Sequence, residues 1–173
     1  MKFLNGTKKR VLHLSADNLQ IIKWYVDAAF AVHEDFKSHT GANMTFGRGA
    51  VQSISRKQKL NTRSSTEAEL VGVDDIVVMI LWTKLFLEAM GYEIDQNIVY
   101  QDNKSTILLE QNGKRSSGNR TRALNIRYFF LTDQIERGNV SVEYCSTDDM
   151  WSDFMSKPLQ GRKFTKFGKD IMG

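Results

Sequence analysis

Residues 61–90 read NTRSSTEAELVGVDDIVVMILWTKLFLEAM, and their reading decides how the rest of the chain is arranged. Ser64 followed three residues later by Glu67 fits a capping box ahead of an apolar run, which predicts a helix start. Val71, Val73, Ile76, Val77, Ile80, Leu81, Trp82, Leu85, Phe86 and Leu87 occupy most of the circumference. A helix apolar on all sides is expected to be central and buried. At about 100° per residue, Glu69 shares a stripe with Val73, Ile76, Ile80 and Leu87. A carboxylate aimed into an apolar core requires a partner, because burying an unpaired charge is costly. Glu67 points elsewhere and serves the cap.

The bulk numbers bound the class of protein. With 173 residues the chain suits one domain with a substantial core. At 41% hydrophobic and 25% charged residues it reads as ordinary globular. No apolar run reaches the roughly 20 residues of a membrane span, and no signal-peptide core opens the chain. The single cysteine, Cys145, excludes an internal disulfide and a Cys-based zinc cluster, and a reducing intracellular setting is expected. Net charge is only +4, yet the basic residues cluster: Lys8-Lys9-Arg10, Arg56-Lys57 with Lys59 and Arg63, Lys114-Arg115 with Arg120 and Arg122, and Arg162-Lys163 with Lys166 and Lys169. Such clusters suit either a polyanionic partner or plain solvated faces.

Around the long helix the elements fall in a definite order. Residues 1–19 carry no strong period and read as an N-terminal extension or linker. Residues 20–32 are rich in β-branched and aromatic types and read as a strand with Asp27 at its centre. Two further strands are expected over 42–47 and 50–56, with Gly47-Arg48-Gly49 as a tight turn, and three strands joined by short loops should pair antiparallel. After the helix, closed near Gly91, residues 97–101 form a fourth strand ending at Asp102. Asn103 can cap a helix over 105–111, and Asp102 can equally be that cap. Residues 113–122 are a basic loop, 121–137 an amphipathic helix stopped at Gly138, 140–145 a strand, and 148–156 a short helix stopped by Pro158. The expectation is an α/β fold, a mixed sheet with helices on its faces.

Four acids stand out by position: Asp27 in mid-strand, Glu69 inward on the helix, Asp102 at a strand end and Asp153 on the last short helix. Converging carboxylates repel unless a cation lies between them. Hard oxygen donors without a Cys or His cluster favour Mg2+ or Mn2+ over zinc. Two such ions roughly 3.5–4 Å apart can clamp the attacking and leaving oxygens of a phosphodiester. Spacing alone leaves the matter open, since four scattered acids can be chosen from twenty.

Six ordered blocks narrow it: Val26-Asp27-Ala28-Ala29-Phe30-Ala31, Lys37-Ser38-His39-Thr40-Gly41, Ser55-Arg56-Lys57-Gln58, Ser64-Ser65-Thr66-Glu67-Ala68-Glu69-Leu70, Gln101-Asp102-Asn103-Lys104-Ser105 and Asp153-Phe154-Met155-Ser156-Lys157-Pro158-Leu159. The series closely resembles the ribonuclease H domain of copia-type (Pseudoviridae-like) LTR retrotransposon Pol polyproteins, over about residues 20–160. Residues 161–173, a basic tail, are similar to the end of such polyproteins. The resemblance implies a ribonuclease H-like fold with a five-stranded mixed sheet. It also implies a metal-dependent endonuclease that cuts the RNA strand of RNA–DNA hybrids during reverse transcription. The family's acidic set maps onto Asp27, Glu69, Asp102 and Asp153 as catalytic and metal-binding residues. Asp27 would bridge two Mg2+ ions (Mn2+ able to substitute), Glu69 and Asp102 would serve the leaving-group side, and Asp153 the attacking water. The implied partners are the hybrid and the reverse transcriptase of the same polyprotein, with no membrane, and the implied location is cytoplasmic, within a virus-like particle. A non-catalytic hybrid-binding module is the rival reading.

Two features depart from the family pattern. Arg122 is followed by Ala123 and Leu124 where relatives commonly carry a His, and the loop Cys145-Ser146-Thr147-Asp148-Asp149 holds no His before the final Asp. Substrate contacts are expected from Gln58, Asn103 and Ser105, small polar groups beside the acids that suit 2′-hydroxyls. Lys57, Arg63, Arg120 and Arg122 are expected on phosphates. Trp24, Trp82 and Trp151 read as core, and His13, His33 and His39 as isolated surface residues.

Overall fold

A computed structural model describes residues 2–112 and 130–173. Its centre is a five-stranded sheet in the order β5-β3-β2-β6-β7, with β2 at Ile21–Ala29, β3 at His39–Thr45, β5 at Gln52–Lys57, β6 at Gln96–Gln101 and β7 at Ser141–Tyr144. The first three of these in sequence pair antiparallel, while β6 and β7 run parallel to β2. This is the mixed sheet the sequence predicted. A separate short ladder joins β1 (Ser15–Ala16) to β4 (Gly47–Arg48). Gly47 and Arg48 therefore pair with the N-terminal segment instead of closing a tight hairpin.

Helices cover both faces. Residues α1 (Lys2–Thr7), α2 (Ser65–Ala89), α3 (Lys104–Asn112), α4 (helical over 130–136), α5 (Asp153–Ser156) and α6 (Gly161–Met172) complete the described elements. Alternation along β2 sends Ile22, Trp24 and Val26 to one face, where they are buried with Ala42, Met44, Val99 and Val142 beneath Val73, Ile76, Val77 and Ile80 of α2. Tyr25 and Asp27 point to the other face, where the Tyr25 ring stacks on Trp151. The residues set apart in sequence as linker and tail join this packing. His13 N–H donates to Met172 O at 2.8 Å, and Phe167 of α6 is buried with Ala50 and Ile171.

The long helix begins as expected and ends differently packed. Ser64 Oγ accepts from Glu67 N–H at 3.1 Å. The return bond is shifted by one residue, because Glu67 Oε2 accepts from Arg63 N–H at 2.7 Å. Gly91, with φ +92, closes the far end and donates to Glu88 O at 2.9 Å. The expectation of burial on all sides fails along one stripe of the helix. Val78, Trp82, Leu85 and Phe86 are exposed, Trp82 at 59%, with its ring stacked on Phe86. These four recur at i, i+4, i+7 and i+8, one face of the helix, whereas Leu81 and Leu87 still pack against the core and Thr83 is buried. Exposure follows the face turned away from the sheet, not distance along the helix.

Candidate metal centre

The four acids are delivered by four different elements. Asp27 lies near the end of β2, two residues past the last β2–β6 pair, Tyr25↔Tyr100. The strands diverge there, at the carboxyl end of a parallel pair, where open α/β sheets characteristically form their sites. The Ala28 N–H, beyond that last pair, donates to Glu69 Oε2 at 3.1 Å. Asp102 follows the last residue of β6 and accepts from Thr147 Oγ1 at 2.9 Å. Carboxylate oxygens of Asp27, Glu69 and Asp102 all lie within 4.8 Å of one another.

Asp153 joins this trio through a lysine. Lys157 Nζ sits 3.1 Å from Asp27 Oδ1 and 2.6 Å from Asp153 Oδ1. The Ser156 hydroxyl donates to the other oxygen of Asp27. Asp153 opens α5, which is shorter than the expected 148–156 helix because the residues ahead of it form turns. Gly41 is the cross-strand neighbour of Asp27. With no side chain there, the α5 backbone comes close enough that an added Cβ would meet Ser152 O at 2.6 Å and Ser156 N at 2.8 Å. Ser55 Oγ secures the same helix by donating to Met155 O at 2.8 Å.

Burial and mutual repulsion dominate the electrostatics. Burial raises the Glu69 carboxyl well above the ordinary glutamate range; Asp27 and Asp102 push it further, against Lys157 and the Ala28 bond. Asp153 is also raised, by burial first, with the Lys157 bond opposing and Asp27 and Asp102 adding. Burial depresses the Lys157 ammonium, but Asp27 and Asp153 together outweigh it and hold its pKa above the usual lysine value. Crowded, part-neutralised carboxylates with an ammonium already seated among them fit a cation site. All the donors are hard oxygens, the chemistry that suits Mg2+ or Mn2+.

The expected substrate residues divide. Gln58 is only 1% exposed. Its amide donates to Thr40 Oγ1 at 3.0 Å and Ala68 O at 2.8 Å, so it ties the first turn of α2 to β3 and positions Glu69 instead of facing solvent. Asn103 spends its Oδ1 capping α3, accepting from Ser105 N–H at 3.1 Å and Thr106 N–H at 3.3 Å. Ser105 is exposed one residue into that helix. Lys57, at the end of the outer strand β5, pairs with Asp35 at 2.8 Å. Arg63 is exposed two residues ahead of α2. Arg120 and Arg122 lie outside the described residues. Nor are the histidines all isolated: His33 Nε2 and His39 Nδ1 are 3.0 Å apart.

Sequence reasoning gave no role to Thr147, Ser156 or Lys157. The available signal was the spacing of Asp153 and Lys157, an i,i+4 acid–base pair inside a block already quoted for its resemblance.

Comparisons with known proteins bear on the fold and on the chain's relatives. No protein-family model matches the chain. Among solved structures, LC11-RNase H1, isolated from compost, aligns with a TM-score of 0.58 at 12% identity, covering 79% of this chain and 93% of that one. LC11-RNase H1 in complex with an RNA/DNA hybrid gives 0.55 at 13% identity, covering 78% and 92%. The chain has the ribonuclease H fold. In sequence, the retrovirus-related Pol polyprotein from transposon TNT 1-94 of Nicotiana tabacum is 30% identical over 174 residues, covering 100% of this chain. Those from transposons RE1 and RE2 of Arabidopsis thaliana are 30% and 29% identical over 173 residues. Over its whole length the chain is thus homologous to one region of plant copia-type Pol polyproteins, as its motifs implied, and it spans 12 to 13% of the length of these relatives.

Proposed function

We propose that this chain is a metal-dependent endonuclease that hydrolyses the RNA strand of RNA–DNA hybrids during reverse transcription of a retrotransposon. The observation that carries the reading is the meeting of Asp27, Glu69 and Asp102 within 4.8 Å, with Asp153 bound to the same Lys157 as Asp27. Asp27, Glu69, Asp102 and Asp153 would hold two divalent ions, Mg2+ with Mn2+ able to substitute. Such ions, when bound, supply Lewis-acid stabilisation of charge on the attacking and leaving oxygens.

The chain's own residues do the positioning. The Ala28 N–H fixes the Glu69 carboxylate, Thr147 orients Asp102, and Ser156 orients Asp27. Asn103 and Ser105, one and three residues after Asp102, would read the 2′-hydroxyls of an RNA strand through an amide N–H and a hydroxyl. Lys57, Arg63, Arg120 and Arg122 would bind phosphates in a salt-dependent way. A reverse transcriptase region of the same polyprotein is the natural partner, and a virus-like particle the natural location. Support for both comes from the Pol homology.

The test is a labelled RNA–DNA hybrid offered beside single-stranded RNA, duplex RNA and duplex DNA, with Mg2+ and with chelator. Mg2+-dependent loss of the hybrid's RNA strand alone is expected. Hybrid binding without cleavage would establish the non-catalytic module instead, and cleavage of duplex DNA a different nuclease.

A further inference from the structure

Lys157 stands at the carboxylate cluster without any part in the chemistry set out above. Its place is built into the backbone. Pro158 bars its predecessor from the helical conformation, and Lys157 is accordingly extended, with φ −127 and ψ 145, as the C-cap of α5. Its backbone N–H still donates to Asp153 O. The side chain folds back one turn to reach Asp153 and extends beyond it to Asp27.

The two carboxylates it bridges are almost wholly buried, Asp27 at 0% and Asp153 at 2%, whereas the Lys157 side chain is 35% exposed. Adjacent buried charges of one sign need a counter-ion, and here the chain supplies its own. Glu69 and Asp102 have no ion pair among the described residues. The cluster is therefore asymmetric: an ammonium fills the Asp27–Asp153 half, and the Asp27–Glu69–Asp102 half is left to an external cation.

Resting on the reading of this cluster as a divalent-metal site, we propose that Lys157 is a displaceable internal counter-ion. It occupies the Asp27–Asp153 half of the cluster and must leave when a divalent ion enters there. It thereby sets the ion concentration at which that half fills. A flexible four-carbon stem with a strongly hydrated head can make that exit, and its partial exposure gives a route to solvent. The half-site is competent only in the fraction of molecules whose lysine is out, and apparent affinity is reduced by that fraction. The two halves consequently load in order, the Glu69–Asp102 side first.

Calorimetric titration of Mn2+ into the wild-type chain, Lys157→Met, Lys157→Gln and Asp153→Asn tests this without any reading of cleavage. Thermal unfolding in EDTA and in Mn2+ accompanies it. The wild type should show a tighter and a weaker binding event. Lys157→Met, matched in length but uncharged, should tighten the weaker event by about tenfold or more while leaving the tighter one alone. Its Tm should fall in EDTA and recover on adding Mn2+ by more than the wild type gains. Lys157→Gln keeps a donor for the buried carboxylates should the methionine variant fail to fold in EDTA, and should show the same tightening. Asp153→Asn should lose the weaker event. Unchanged affinities in both lysine variants, or a uniform weakening of both events, overturn the inference alone. A wild type that binds no Mn2+ overturns the metal-site reading with it.

Discussion

Glu69 reaches the site because the Ala28 N–H donates to its Oε2 at 3.1 Å, which ties the carboxylate on α2 to the residue directly after Asp27. One backbone bond thus holds two like charges together against their repulsion. The arrangement costs stability whenever no cation is present. Burial, Asp27 and Asp102 raise the Glu69 pKa in the folded state. Glu69 therefore contributes stability that is fully present below the unfolded glutamate pKa of about 4.3 and is lost as pH rises through the higher folded value. Glu69→Gln, which keeps an oxygen for the Ala28 N–H, should raise Tm at pH 7 in EDTA by about 2–4 °C, the equivalent of about 1 kcal/mol in a domain of this size. The gain should vanish near pH 4. Hybrid cleavage should be abolished. Thermal melts of both proteins across pH 4–8 check the sign, and a variant less stable than wild type at pH 7 would refute it.

Glu67, two residues earlier, separates structural from catalytic carboxylates. It is part-exposed, and among the described residues its side chain serves only the Arg63 N–H at the helix entrance. Glu67→Gln should leave cleavage within about twofold of wild type, and Ser64→Ala should cost about 1 kcal/mol through loss of the cap without touching the site. Denaturant melts paired with the hybrid assay read both. A cleavage defect in Glu67→Gln as deep as that of Glu69→Gln would reverse the assignment of the two acids.

Asp27 accepts from both Lys157 and Ser156 and has Gly41 across the ladder. Asp27→Asn keeps the shape of the side chain and removes one negative charge beside that lysine. Cleavage should fall by at least about 100-fold, the scale on which deleting one preorganised electrostatic group acts. Far-ultraviolet circular dichroism should be unchanged. Retained cleavage in a properly folded variant would remove Asp27 from the set.

What the sequence revealed was what period and local chemistry control. Richness in β-branched and aromatic residues marked β2, the Ser64 cap placed the start of α2 correctly, and a 3.6-residue stripe turned Glu69, not Glu67, toward the site. What stayed hidden depends on tertiary distance. Trp82 is exposed because it shares the outward face of α2 with Val78, Leu85 and Phe86, and a helix apolar all round gives no local sign of which face that is. Gln58 looked like a substrate contact as a small polar group beside the acids, and only the fold shows its amide spanning Thr40 and Ala68. Lys157 was visible as a residue but not as the occupant of the acid cluster, since its link to Asp27 crosses 130 residues.

Glu110 carries a separate pH signature. It is fully buried in α3, and burial raises its pKa well above the usual glutamate value, with Gln101 beside it opposing only in part. The sign is that of Glu69: stability is present below about pH 4.3 and lost as pH rises through the folded pKa. Glu110→Gln should therefore be more stable than wild type at pH 7–8 by about 1 kcal/mol or more and should cut hybrid normally. Equal or lower stability across that range would show that the carboxylate is compensated in place.

Gly41 supplies the strictest test of how the site is assembled. A methyl group there would overlap Ser152 O and Ser156 N, both backbone atoms of the segment that carries Asp153 and Lys157, so the clash cannot be relieved by turning a side chain. Gly41→Ala should force α5 off the sheet, at a cost of about 1–3 kcal/mol typical of overpacking. Because Asp27 lies directly across the ladder from Gly41, the same displacement should separate Asp153 from Asp27 and depress cleavage. Mn2+ binding on the Asp153 side should suffer more than on the Glu69–Asp102 side. Gly72 is the control. A Cβ there lies 3.4 Å from Ala28 Cβ, an ordinary contact, and alanine favours the helix by about 0.5–1 kcal/mol, so Gly72→Ala should match or slightly exceed wild-type stability and keep cleavage. Melts, Mn2+ titration and the hybrid assay on the two variants decide the point, and an active, fully stable Gly41→Ala would mean that close approach of α5 is not what brings Asp153 into the acid cluster.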